Sequence, residues 1–134
     1  MGILIDTCIW IDVEQGALSP ADIVAVTGSE PVFLSPVTIV ELKFGAECAA
    51  TPAIRQQRLA ALARIRTKPI LRIDETTGEI FGSLSAQLKM SGKTTRHRLQ
   101  DIWLASQAIQ QGFSLLTRNL SNFEDIPGLL VMSL

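Results

Sequence analysis

Three carboxylates in this chain occupy positions that folding alone would fill differently. Asp6 ends the apolar run Gly2-Ile3-Leu4-Ile5, Glu41 lies inside Pro36-Val37-Thr38-Ile39-Val40-Glu41-Leu42, and Asp101 opens Asp101-Ile102-Trp103-Leu104-Ala105. A carboxylate on an apolar face must be paired, protonated or bound to a cation, because its bare charge is costly to bury. Several of them converging would hold a divalent metal ion. Hard oxygen ligands, with one histidine and two cysteines in the whole chain, favour Mg²⁺ or Mn²⁺ over zinc. Such an ion keeps some of its waters, lowers the pKa of one, and stabilises charge on a phosphoryl group under attack.

Each acid also has an ordinary explanation. On a helical wheel begun at Val37, that residue, Phe44 and Cys48 point in one direction, and Glu41 lies about 40° from Val37. Glu41 is therefore expected on a packed apolar stripe, or else at its rim with the carboxylate in water. Over 99–111, Leu104, Ala105, Ala108, Ile109 and Ile102 form one face with Asp101 among them, and Gln100, Gln107, Gln110 and Gln111 gather on the other. An acid in a first helical turn complements the dipole, worth about 0.3–1 kcal/mol. That accounts for the acid but not for its face. Asp6 stands at the carboxyl end of a strand, where open α/β sheets place their ligands, or it caps a helix beginning at Thr7.

The elements that must bring the acids together are short apolar runs alternating with longer helical patterns. Strands are expected at Ile3–Ile5, Val32–Leu34, Ile70–Ile73, Ser114–Leu116 and Leu129–Val131, and helices near 20–27, 37–49, 53–66, 75–91 and 99–111. This alternation predicts an α/β domain over residues 1–134, with a central, mostly parallel five-stranded sheet. Ser19-Pro20 and Ser35-Pro36 read as N-caps followed by proline in the first turn. Asp74 reads as a third cap, Gly112 as a left-handed helix stop, and Pro127-Gly128 as the turn into the last strand.

At 134 residues the chain can bury a sizeable core, and its 47% apolar content suits a globular protein. No apolar run approaches the roughly 18 residues that cross a bilayer. The opening Met-Gly-Ile-Leu-Ile-Asp has no basic region, so no signal peptide is expected. Cys8 and Cys48 are too few for a disulfide framework and are read as reduced, in a cytoplasmic protein. Charge is distributed unevenly: residues 1–42 carry six acids and no Lys or Arg, and the remainder carries all twelve basic residues against seven acids. The basic excess either attracts phosphate or forms solvated helix faces.

Four fragments, in order, resemble PIN-domain ribonucleases, most closely the VapC-type toxins of bacterial toxin–antitoxin pairs. They are Ile-Leu-Ile-Asp-Thr at 3–7, Leu-Ser-Pro-Val-Thr-Ile-Val-Glu-Leu at 34–42, Asp-Ile-Trp-Leu-Ala at 101–105, and Leu-Leu-Thr-Arg-Asn-Leu-Ser-Asn-Phe at 115–123 with Ile-Pro-Gly-Leu at 126–129. The resemblance implies a PIN-like three-layer α/β/α fold and metal-dependent, endonucleolytic cleavage of RNA. It implies Asp6 and Asp101 as principal ligands, Glu41 as a ligand or water-orienting base, and Asn119 as a neutral ligand or hydrogen-bond partner. Thr7 and Thr117 are the expected supporting hydroxyls. It further implies a VapB-like antitoxin as partner and a homodimer, or a higher assembly with the antitoxin. The helices near 37–49 and 53–66 are our own expectation for the dimer surface. Lys93, Arg96 and Arg98, with Arg118, either grip RNA phosphates or form a solvated loop. His97 is a weak candidate for a general acid.

The chain departs from the family at two positions. Asn122 stands where many relatives carry an acid, and Cys8 follows Asp-Thr where Asn or Ser is frequent. Three acids rather than four or five leave the number of metal ions open, and Glu124 and Asp125 are expected to be solvated. Two other readings compete. A phosphatase of the haloacid-dehalogenase kind would need an acid two residues after Asp6, where Cys8 stands. A non-catalytic RNA- or partner-binding module would carry the same acids as a degenerate site.

Overall fold

The computed structural model describes all 134 residues, Met1 to Leu134. The elements run β1 (Ile3–Ile5), α1 (Thr7–Glu14), α2 (Pro20–Thr27), β2 (Val32–Phe33), α3 (Pro36–Glu47), α4 (Pro52–Ile65), α5 (Glu75–Met90) and α6 (Leu99–Gln111). They end with β3 (Ser114–Thr117), a single 3₁₀ turn (Leu120–Asn122) and β4 (Leu130–Ser133). All strand pairs are parallel, in the order β2-β1-β3-β4. Side chains alternate across this sheet, as the two-residue strand period requires. Leu4 and Leu115 enter a core with α5 and α6, built around Leu84, Leu88, Ile102 and Leu104. Ile3, Ile5 and Leu116 enter a second core with Ile9 and Trp10 of α1 and Ile23 of α2. Helices thus cover both faces, giving the three-layer arrangement, and β1 is apolar throughout because neither of its faces meets water.

The helix boundaries follow the local chemistry. Ser19 and Asp74 each close a capping box, the Ser35 hydroxyl accepts from the Val37 N–H, and Gly112 adopts a left-handed φ of 69°. At Gly2 the stacked rings of Phe33 and Phe113, 4.8 Å between centroids, leave no room for a side chain. A Cβ there would meet ring carbons at 2.6–2.7 Å. Gly2→Ala is therefore expected to destabilise the fold by about 1–3 kcal/mol, measurable as a lower urea midpoint at an unchanged slope.

The expected fifth strand is absent. Of Ile70–Ile73 only one parallel bridge forms, Leu34 to Ile70, with Leu34 N–H donating to Pro69 O and Leu71 N–H to Leu34 O. Two local constraints stop the ladder there. Ser35 already caps α3, so β2 offers no further backbone, and Pro69 has no N–H to donate. The freed carbonyls find a side chain instead: Gln107 Nε2 donates to Leu71 O at 2.9 Å, while the Ser35 hydroxyl donates to Gln107 Oε1.

That contact corrects the wheel drawn for 99–111. Gln107 is buried, not on a solvent face, and α6 is enclosed from Leu104 to Ala108. The wheel drawn for 37–49 also needs correction. Phe44 is 69% exposed and Cys48 is at the surface. Because α3 packs against α1, α4 and α6, its buried side chains fall at Val37, Thr38 and Ala46.

Candidate active site

A parallel sheet gathers its loops at the carboxyl ends of the strands, and the site residues come from four of the segments meeting there. Asp6 follows β1, and its N–H extends the ladder by donating to Leu116 O at 2.9 Å. Glu41 lies on α3, which starts as β2 ends. Asp101 is in the first turn of α6, which runs back along the sheet into β3, and Thr117 is the last residue of β3.

Asp6 holds the N-cap position of α1 with extended backbone angles, yet its side chain caps no N–H. A capping aspartate contributes about 1 kcal/mol, so a buried carboxylate that forgoes the cap is committed elsewhere. Its Oδ2 accepts from the Thr117 hydroxyl at 2.8 Å and from the Cys8 thiol at 3.1 Å. Thr117 Oγ1 in turn accepts the Asn119 backbone N–H at 2.9 Å. One hydroxyl therefore joins Asp6 to the segment after β3. Thr7 is buried, and its hydroxyl hydrogen-bonds that of Thr38 at 2.8 Å.

Two of the three acids are raised by their surroundings. Glu41 is pushed up to about 7, first by burial, then by the charges of Asp6 and Asp101, with the Thr7 hydroxyl opposing the rise. Asp101 is pushed up to about 6, again first by burial and next by Asp6, while Arg98 pulls it down. Burial together with adjacent like charge marks a candidate functional site. As the side chains stand, however, no three Asp, Glu, His or Cys groups are close enough to hold one ion. The donor chemistry is uniformly hard oxygen, which suits Mg²⁺ or Mn²⁺.

The remaining candidates divide. Asn119 is exposed and tied to the cluster through its backbone. Arg118 pairs with Asp12 at 3.0 Å, and Arg96 is exposed with no ion pair. Lys93 and Arg98 are both bound to Asp125, Arg98 through a sheltered two-pronged contact and Lys93 through a single exposed one. Asp125 is accordingly not the solvated acid expected from sequence: its carboxyl falls to about 2, chiefly through the Arg98 hydrogen bonds. Its two partners lie 27 and 32 residues upstream, and no local periodicity could have announced the contact. His97 is exposed.

The PIN-domain family model matches residues 3–129, and the chain belongs to that family. Its place within the family is among the VapC-type proteins. It is 33% identical to ribonuclease VapC5 of Mycobacterium tuberculosis, across 87% of this chain and 82% of that protein. It is 35% identical to the VapC ribonuclease Y4jK of Sinorhizobium fredii, across 71% and 69%. Among solved structures it is similar to VapBC2 of Rickettsia felis bound to a promoter DNA fragment, with a TM-score of 0.86, 19% identity and coverage of 100% and 99%. VapBC-5 of M. tuberculosis gives a TM-score of 0.75 at 27% identity, covering 99% and 98%. No helix is long and apolar enough to cross a membrane.

Proposed function

We propose that this chain is an endoribonuclease toxin of the VapC type that hydrolyses RNA phosphodiester bonds, depends on Mg²⁺ or Mn²⁺, and is neutralised by a VapB-like antitoxin. Membership of the VapC-type family supports the reaction class. The observation that carries the site is the pair of raised carboxyls, Glu41 and Asp101, each perturbed by Asp6 at the carboxyl edge of the sheet.

In this reading Asp6, Asp101 and Glu41 hold the ion, with Asn119 as a neutral supporting group. The ion, when bound, supplies an acidified water and stabilises charge on the phosphoryl oxygens. The chain's own residues do the orienting. Thr117 and Cys8 occupy Asp6 Oδ2, while Oδ1 is held by no side-chain hydrogen bond. Glu41 is the ligand or water-orienting base of the set, beside the Thr7 hydroxyl that bonds it. For the RNA backbone the available cations are Lys93, Arg96 and Arg118. The Arg118–Asp12 pair is exposed at 38% and 28%, a type of contact worth about 0–1 kcal/mol, which a phosphate can displace. The functional unit is proposed to be a homodimer, testable by light scattering.

The test is cleavage of total RNA and of a defined RNA panel by the purified chain. Cleavage should vanish in EDTA and return with millimolar Mg²⁺ or Mn²⁺; full activity after exhaustive chelation would reject the metal role. A second reading, a non-catalytic binding module, is favoured by Asn122 and by the lack of three ligating side chains within reach of one ion. It predicts neither cleavage nor Mn²⁺ binding by calorimetry.

A further inference from the structure

The start of α6 is held by a contact that the cleavage chemistry does not itself require. Arg98 is the N-cap residue of α6 and makes no side-chain cap. Its guanidinium reaches across to the segment after β3: Nη2 donates to Asp125 Oδ1 at 2.7 Å, Nη1 to Asp125 Oδ2 at 2.8 Å, and Nη2 also to the Asn122 carbonyl at 2.8 Å. Lys93 Nζ adds a contact to the same carboxylate at 3.0 Å. Both principal side chains are largely covered, 18% exposed for Arg98 and 19% for Asp125. A two-pronged, sheltered guanidinium–carboxylate pair fixes orientation as well as distance, which an exposed single contact does not.

The two segments so joined each bring a group to the site. Asp101 lies three residues after Arg98, in the same helical start. Asn119 lies three residues before Asn122, on a stretch also fastened by the exposed Arg118–Asp12 pair, by the N–H of Asn119 on Thr117 and by the Asn122 N–H on the Asn119 carbonyl. Downstream of it Phe123 and Ile126 are buried in the core that also holds Ile102, Leu104 and Ala105 of α6. To that apolar packing the guanidinium adds a directional contact at the start of the helix.

We infer that Asp125 is a positioning residue: by gripping Arg98 it sets the Asn119 segment against the first turn of the Asp101 helix. This rests on the endoribonuclease reading for its catalytic consequence, but not for the contact itself. Partners one step removed from a ligand set typically contribute 10–100-fold to activity. Asp125→Asn, which keeps the shape and loses the charge, should lower kcat about tenfold with KM within about twofold. Amide exchange over 119–123 should quicken by about tenfold in the same variant. Asp125→Glu should recover most of both. Arg98→Lys, which cannot make the fork, should reproduce the loss and add little to Asp125→Asn when combined.

Wild-type exchange over 119–123 in Asp125→Asn would overturn the inference. A rise in KM at unchanged kcat would also overturn it, since Asp125 would then be shaping RNA contact. Should the wild type cleave no RNA at all, the functional reading fails by itself. Exchange then decides the matter alone: quickening upholds the positioning role, and no change ends it.

Discussion

Asp6→Asn is expected to abolish RNA cleavage while leaving a folded protein that, without metal, is no less stable than the wild type. The loss should be at least about a hundredfold in kcat, since removing a neighbour one step outside a ligand set already contributes up to that much. Stability should hold for a separate reason. The Asp6 charge raises both Glu41 and Asp101, so neutralising it removes a repulsion that the fold otherwise tolerates. The amide oxygen can still accept from Thr117 if it takes the place of Oδ2. Two measurements suffice, single-turnover cleavage and a thermal melt in EDTA. A variant that cuts RNA at the wild-type rate would remove Asp6 from the chemistry, and one that melts far lower would make Asp6 a structural acid.

The second large effect is in pH. Glu41 and Asp101 sit at about 7 and about 6 in the fold, against ordinary values of 4.5 and 3.8. Between those limits the native protein binds protons that the unfolded chain has released. Unfolding then releases protons, and stability falls as pH rises through roughly 4 to 7. The contribution is full below the ordinary values and gone above about 7. Both groups are only half-buried, so the combined loss should be roughly 1–2 kcal/mol after solvent screening. Asp125 works oppositely: its depressed carboxyl stabilises above 3.8, and that share disappears as pH drops toward 2. Metal-free protein should therefore be most stable near pH 4–5. Millimolar Mn²⁺ at neutral pH should recover what is lost, through binding to the native state alone. Melts across pH in EDTA, repeated with Asp6→Asn, provide the check. A flat profile between pH 5 and 7.5 would mean that Glu41 and Asp101 are not raised by the fold.

Most of the layout was legible because it is written locally. Ser19, Ser35, Asp74 and Gly112 start or stop helices through contacts within a few residues, and that chemistry can be read along the chain. Asp6 and Asp101 could be found because each breaks an apolar pattern. What stayed hidden depends on partners far away in sequence. Ile70–Ile73 has strand-like composition, but its neighbour ends at a helix cap and a glutamine 36 residues on takes its carbonyl. Phe44 looked like core on a wheel, yet α3 turns that side to solvent because its other sides are taken by three helices. Asp125 looked like a loop acid until Arg98 reached it.

Strand order has a consequence for when this molecule becomes active. β1 is made first but pairs with β3, with Ile3 opposite Ser114 and Ile5 opposite Leu116. Contacts so distant along the chain close late and slowly. Thr117, which fastens Asp6 from 111 residues away, and Asp101 both come after α5 in the chain. A nascent chain that has emerged only as far as α5 has no assembled centre, however well its early helices form. Competence should arrive in one step, when α6 and β3 join β1.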